Sequence, residues 1–351
     1  MKTLEERRTR ALWLRRVRRI GAWILIVAAA AAICVGLPWL VWKGPYVLDA
    51  QYIDKAKVKD GGAALVTGLR TAIVACVAAL GAIIALLYTA RTYRLTRRGQ
   101  VTDRFTKALE RLGSEQIYVR IGGILALEQI VQDAPEQATD AAHVLGHFLR
   151  AQAPAALPAS DPDEESATPL PDRPVADIQV ALTALTRPES RTHVDPREVL
   201  DLSELHLAGA DLLGADLTGC NLNNATLTDA DLRLATLTVA NLCGTTLTGA
   251  VLNGATLTGA KLRGAMLSGA KLRGATLISA VLYEATLTDA DLYGATLTDA
   301  DLYEATLAGA NLGGAMLVGT RYLTQEQVDQ VGVDENTRLP LDVTAPSRLA
   351  T

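Results

Sequence analysis

Aromatic residues are scarce in this chain. There are fifteen in 351, and all four tryptophans lie within the first 42 positions. A mixed globular core, which draws much of its buried area from Phe, Tyr and Trp, is therefore not expected downstream. Cysteine is equally thin. Cys34, Cys76, Cys220 and Cys243 include no C-x-x-C pair, so neither a disulfide framework nor a zinc ribbon is expected; they read as small buried thiols. Of the four histidines, His143 and His147 stand four apart on a helical stretch, a spacing that metal sites use. No Glu follows His143 and no third ligand is evident, so both read as structural. Gly122-Gly123 follows no strand and lacks the G-x-G-x-x-G spacing of a nucleotide loop. With no nucleophile–base set, metal cluster or phosphate loop, neither an enzyme nor a cofactor is expected.

The residues that are present are unevenly distributed. Residues 1–98 carry 17 Lys and Arg against 5 Asp and Glu, whereas the remainder carries 17 against 33. The front is basic and apolar, the body acidic. Residues 1–19 form a basic tail. Residues 20–42 are continuously apolar, with Trp23 near one end and Trp39 and Trp42 near the other, long enough to span a bilayer core of ~30 Å. A mixed loop, 43–70, leads to a second uncharged run, 71–90, flanked by Arg91, Arg94, Arg97 and Arg98. The excess of basic flanks predicts a two-helix transmembrane hairpin with the loop outside and both termini cytoplasmic. The location expected is the plasma membrane, with the lipid bilayer itself as one partner.

Residues 91–150 read as a small α-helical module. Helical spacing of apolar residues is seen over Asp103–Leu112, Ile117–Val131 and Ala138–Leu149, broken at Gly113-Ser114 and at Pro135. Residues 151–174, with six prolines and an acidic cluster, read as a linker, flexible or extended. In 175–197 a short apolar helix, Val175–Leu185, is placed to cap the N-terminal end of the region beyond it.

That region is periodic. Leucine stands at every fifth position from Leu202 to Leu317, twenty-four times without a miss, and two residues before most of these stands a small side chain. From Ala210 onward it is Ala, except at Cys220 and Thr245; the first two units carry Leu200 and Leu205. A fixed short period over more than a hundred residues means stacked, near-identical units. Five fits neither a helix nor a long alternating strand. Within each unit the small residue and the Leu are two apart, so an extended segment points both inward and the residue between them outward.

Units such as Ala290-Asp291-Leu292-Tyr293-Gly294 resemble the pentapeptide-repeat family. The resemblance covers 198–320 and implies an all-β, right-handed, quadrilateral parallel β-helix, four pentapeptides to a coil. Twenty-four units then give about six coils, a rod of about 29 Å at ~4.8 Å per strand. Residues 321–351, with Tyr322-Leu323-Thr324 and Leu339-Pro340, look like the family's C-terminal cap and tail. The stretch Gln100–Ile130 is similar to the region preceding the repeats in membrane-anchored pentapeptide proteins of actinobacteria.

Residues twenty apart share a face in such a coil. Two opposite faces are rich in Thr-Leu-Thr; flat threonine arrays resemble ice-binding faces, but Thr also simply suits half-exposed strands. The other two faces hold the charges and rings. Lys261, Arg263, Tyr283 and Tyr303 fall on one, and Lys271, Arg273 and Tyr293 on its opposite. These seven are the candidate partner surface, since Tyr and Arg are enriched at binding hot spots. The expected function is a membrane-anchored, cytoplasm-facing scaffold for an unidentified protein partner, with no nucleic acid bound. The alternative is an acidic rod that mimics DNA and binds a topoisomerase, as some members of the family do. The 13 Asp and Glu against 5 Lys and Arg in 198–320 permit it.

Overall fold

The computed structural model describes residues 63–156, 170–195 and 197–345, and the helical positions 39, 41–43 and 47 besides. The expected basic tail, nearly all of the first apolar span, most of the loop 43–70 and the middle of the linker lie outside the described residues. Two compact units divide the chain, Met1–Arg97 and Arg98–Thr351.

The first unit contributes most of a long helix, α1, Ala63–Leu112, of 50 residues. Within it Arg70–Tyr93 has a mean hydropathy of 2.5 over its most apolar window, long and apolar enough by composition to cross a membrane. At 1.5 Å per residue these 24 residues reach about 36 Å. Leu80, Ile83, Ile84, Leu86 and Leu87 are all exposed along it. At its start the Arg70 guanidinium sits 5.3 Å over the Trp42 ring and donates to the Trp42 carbonyl. One helix replaces the two expected at 71–90 and 103–112. Gly99 is the only glycine between Tyr88 and Leu112, no proline interrupts the stretch, and an interior Gly costs only ~1 kcal/mol. The helix stops at Gly113-Ser114, as expected, where the Gly113 and Ser114 amides bond back to Leu109 and Arg111.

In the second unit the end of α1 packs with α2, Ile117–Asp133, α3, Ala138–Gln152, and α4, Ala176–Thr186. A one-turn helix, α5, Pro188–Arg191, comes next. Gly123 is where α2 meets α1: a Cβ there would lie 2.9 Å from the Ala108 carbonyl and 3.1 Å from the Leu112 amide. Arg120 of α2 pairs with the buried Asp177 of α4 at 2.6 Å. Removing one partner of such a pair costs more than the pair itself adds, because the other charge is left buried.

From 201 the chain winds as a four-sided coil of parallel bridges, each joining a residue to the one twenty further on, Asp201 to Asn221 through Asp301 to Arg321. Amides of the Leu positions donate upward, as Leu207 to the Thr226 carbonyl at 2.8 Å, and the outward residues donate downward, as Thr226 to the Leu205 carbonyl. The inward Leu and Ala are nearly all fully buried. Thr245 stands in an inward Ala position and stays buried because its hydroxyl donates to the Leu222 carbonyl at 2.7 Å. Cys220 does the same as an apolar filler, and burial pushes its thiol up to about 12. The other described cysteines are not buried: Cys76 is exposed and Cys243 half-exposed, against the expectation for both.

Every corner turns on a left-handed residue. All twenty-four positions from Glu204 to Gly319, five apart, have positive φ; fourteen are Gly and ten are not. The Ala after each corner donates back to the preceding Leu carbonyl, as Ala210 to Leu207, so each corner is a turn with its third residue left-handed, as in type II turns. Leu234 and Val239 hold φ of 58° and 53°, a conformation costing roughly 1–2 kcal/mol for a residue with a Cβ.

Both ends of the ladder are covered. Three of the four downward-facing amides of the first coil find acceptors in the helical module and its extension: His206 on the Pro154 carbonyl, Asp211 on Gln179 Oε1, Asp216 on the Thr186 carbonyl. Ala155 forms an antiparallel bridge with Leu205, so the beginning of the Pro-rich linker is docked as an edge segment rather than flexible. An open edge would be a template for unwanted pairing. At the far end the period breaks at Tyr322, and α6, Gln325–Asp329, is opened by a reciprocal Thr324–Gln327 capping box. Gly332 and Arg338 then pair with Asn311 and Met316 as a partial seventh coil.

Candidate functional site

The coil brings positions twenty apart into register, and this builds the outer columns. On one side Arg263, Tyr283 and Tyr303 stand one above another. The Arg263 guanidinium carbon lies 4.9 Å from the Tyr283 ring centre, and the Tyr283 and Tyr303 rings stack at 5.1 Å with planes 3° apart. Tyr322 closes the column edge-on to Tyr303, at 5.3 Å and 89°. Glu284, on a left-handed corner, reaches within 3.7 Å of Arg263. Burial, and then the Glu284 carboxylate, push the Tyr283 phenol up; at Tyr303 the bond to Glu304 is the main cause of the same shift. Both rings therefore stay neutral hydrogen-bonding groups at physiological pH.

The opposite side is sparser. Arg273 lies 5.1 Å over the Tyr293 ring and 3.8 Å from Asp291. Tyr293 leans over Gly313, where a Cβ would come within 3.1 Å of its Cδ2. Lys261 and Lys271 are exposed, each beside its expected Arg, and neither forms an ion pair among the described residues. The structure thus places Lys261, Arg263, Tyr283 and Tyr303 together and Lys271, Arg273 and Tyr293 together, on opposite sides. It also shows what the columns do with their rings: the faces are spent on one another and on arginine, and the phenols of Tyr283 and Tyr303 bond to Glu284 and Glu304. Tyr322 was not among the candidates because it stands nineteen, not twenty, after Tyr303. The glutamates were missed because corner positions read as turn residues.

Elsewhere Asn241 donates to Asn221, and Asn221 to Asp201, at 3.0 and 2.9 Å, a side-chain ladder parallel to the backbone one. Among the described residues no His, Cys, Asp and Glu cluster could hold a metal ion. His143 is 2.8 Å from Glu198, a link between α3 and the approach to the first coil.

The family model for pentapeptide repeats matches in eight copies, over residues 201–238, 240–274, 261–299 and 285–321. The chain belongs to the pentapeptide-repeat family. Among solved structures, this pentapeptide-repeat protein is similar to HetL, a pentapeptide repeat protein involved in heterocyst differentiation regulation from the cyanobacterium Nostoc. Identity is 35%, over 34% of this chain and 67% of that one, with a TM-score of 0.20. A pentapeptide repeat protein of the Arabidopsis thaliana thylakoid lumen is 32% identical over 33% of this chain and 70% of that one, TM-score 0.20. QnrB1, a plasmid-mediated fluoroquinolone resistance protein, is 20% identical over 38% and 80%, TM-score 0.21. The family assignment rests on the repeat model and the sequence identity, not on the superpositions. No curated protein sequence matches the chain.

Proposed function

We propose that this pentapeptide-repeat protein is a membrane-anchored scaffold with no catalytic role, its repeat rod facing the cytoplasm and docking a protein partner through the Arg263–Tyr283–Tyr303–Tyr322 column. The observation that carries the reading is the column itself. Its side chains are held in place before any partner arrives, which lowers the entropy lost on association. Tyr and Arg are also the residue types that dominate binding hot spots. The apolar stretch Arg70–Tyr93 supports anchoring. In this reading it pairs with the first apolar span, 20–42, in a hairpin at the plasma membrane.

The test compares partner capture by the full chain with capture by the double variant Tyr283→Ser, Tyr303→Ser. Loss of roughly five-fold or more is expected, the scale of a hot-spot residue. Thr246→Ser with Thr248→Ser on an adjacent side is the control. Capture unchanged by the tyrosine pair and lost with the threonine pair would move the working surface to the threonine side. The acidic excess of the rod supports a second reading, a DNA mimic that binds a topoisomerase. The Lys261, Arg263, Lys271 and Arg273 belt interrupts that acidity, and recovery of a topoisomerase as the dominant partner would decide for it.

A further inference from the structure

Three sides of the first coil are sealed by the helical module and its extension, and the fourth opens on a cavity of about 330 Å³ between α3, α5 and the approach to the first coil. The cavity is of the size that takes a small organic ligand. Leu185, Val194 and Leu200, all buried, give it an apolar floor.

Its charges are unequal in what they still need. Glu198 is already met by His143 at 2.8 Å, and Asp201 by Arg150 at 3.1 Å. Burial pulls Asp201 upward, but hydrogen bonds from Ser203, the Arg150 charge and Asn221 outweigh it and hold its carboxyl below the ordinary value. That pair is thus fully charged and self-neutralising at physiological pH. Arg191 is different. It is half-buried at the rim and donates one long bond, 3.4 Å, to the Thr218 carbonyl. Among the described residues no carboxylate lies within ion-pair distance of it. A guanidinium has five N–H donors in a planar fork suited to a carboxylate. The fourth edge amide, that of Asp201, also has no partner among the described residues.

We propose that this cavity is a binding site for a small organic carboxylate with an apolar body: the anion is held by Arg191 and the body rests on Leu185, Val194 and Leu200. A phosphate or free inorganic anion would leave the apolar floor unused, and a cation would meet Arg191. The site is separate from the tyrosine column and does not depend on how that column functions.

The experiment uses the full chain in lipid nanodiscs, with empty nanodiscs as background, titrated with 2-naphthoate, its neutral amide and 2-naphthylmethylamine. Saturable binding of the carboxylate is expected, roughly ten-fold tighter than the amide, the scale of one charge-assisted bond, with the amine weakest. Arg191→Gln should bring carboxylate and amide to equal affinity. Val199→Trp, at an exposed residue of the cavity lining, should weaken both by blocking entry. Equal binding of carboxylate and amide by the wild-type chain, carboxylate binding unchanged by Arg191→Gln, or no saturable binding overturns the proposal. Should Arg191→Gln fail to fold, undiminished carboxylate binding by Val199→Trp overturns it alone.

Discussion

The ring of Tyr283 lies flat on that of Tyr303, 5.1 Å away and tilted by only 3°. The two residues are twenty apart, one coil, and the ring separation matches the rise of one coil, ~4.8 Å between hydrogen-bonded strands. The backbone ladder alone is thus enough to bring the rings into contact. No side-chain strain is needed, and the order of the column is inherited from the Leu and Ala packing beneath it.

Alkaline titration should expose that contact. Both phenols are shifted above the ordinary tyrosine value of 10.0 by burial and by the neighbouring glutamates. A group raised in the folded state adds stability that is present below its unfolded value and is lost as pH rises through the folded one. The thermal midpoint of the rod should therefore fall above pH 10. The fall should be shallower in Tyr283→Phe with Tyr303→Phe, whose rings stack but cannot ionise. Identical slopes would mean that the phenols are not coupled to folding.

Inside and outside alternate residue by residue, and one pair of variants tests this directly. Leu257 is fully buried, and Thr258 comes next, on the outside of the coil. Leu257→Lys should cost several kcal/mol, because an unpaired ammonium enters a closed apolar tube, and should abolish cooperative unfolding. Thr258→Lys should change stability by under ~0.5 kcal/mol. Calorimetry distinguishes them, and equal effects would refute the assignment of the two faces.

Two adjacent glycines in α2 should respond in opposite directions. Nothing lies within 4 Å of a Cβ built on Gly122, whereas one on Gly123 meets the backbone of α1 at 2.9 Å. Gly122→Ala should stabilise by up to ~1 kcal/mol through helix propensity. Gly123→Ala should destabilise by about 1–3 kcal/mol, as overpacking does. Denaturant midpoints check both.

Strain at the corners should be removable. Leu234 is exposed and left-handed, so its side chain gains little from where it sits. Leu234→Gly should stabilise the rod by about 0.5–1 kcal/mol, the relief of a left-handed Cβ less the greater freedom of unfolded glycine. The same exchange at Thr258, half-buried and just before the left-handed Gly259, should not, because Thr258 itself is not left-handed. A fall in the midpoint for Leu234→Gly would show that the leucine packs usefully across Gly254.

The proposed topology is checked in intact cells. A membrane-impermeant protease should cut only within 43–70 if both basic flanks are cytoplasmic. Cleavage within 151–174 would reverse the orientation.

The repeat region was legible in the sequence because the same demand recurs at every unit: Leu257 and Leu262 face the same narrow interior, so chemistry and period coincide. The columns came from counting by twenty. Four features were not legible. The left-handed corners were hidden because Gly244, Asp229, Leu234 and Glu284 share a backbone conformation and no side-chain chemistry. The capping helix was read at 175–185, but the atoms that seal the edge were hidden because two of the three acceptors are main-chain carbonyls, as that of Thr186 for the Asp216 amide. The continuity of α1 was hidden because the change from apolar to charged surface at Arg91 alters the surroundings a helix suits, not whether it is a helix. Tyr322 escaped for the simplest reason: it departs by one residue from the count.

Four units to the coil also fixes how such a chain can change length. Adding twenty residues would insert a complete storey and leave every column standing. Adding five would keep each leucine indoors, yet swing everything beyond the insertion by a quarter of a revolution. Arg263 would then no longer stand under Tyr283 but beneath Ile278 of the neighbouring side. The interior tolerates any multiple of one unit, while the exterior recognises only multiples of four. Any surface that works through vertical neighbours, as this one does, is held to the coarser of the two steps.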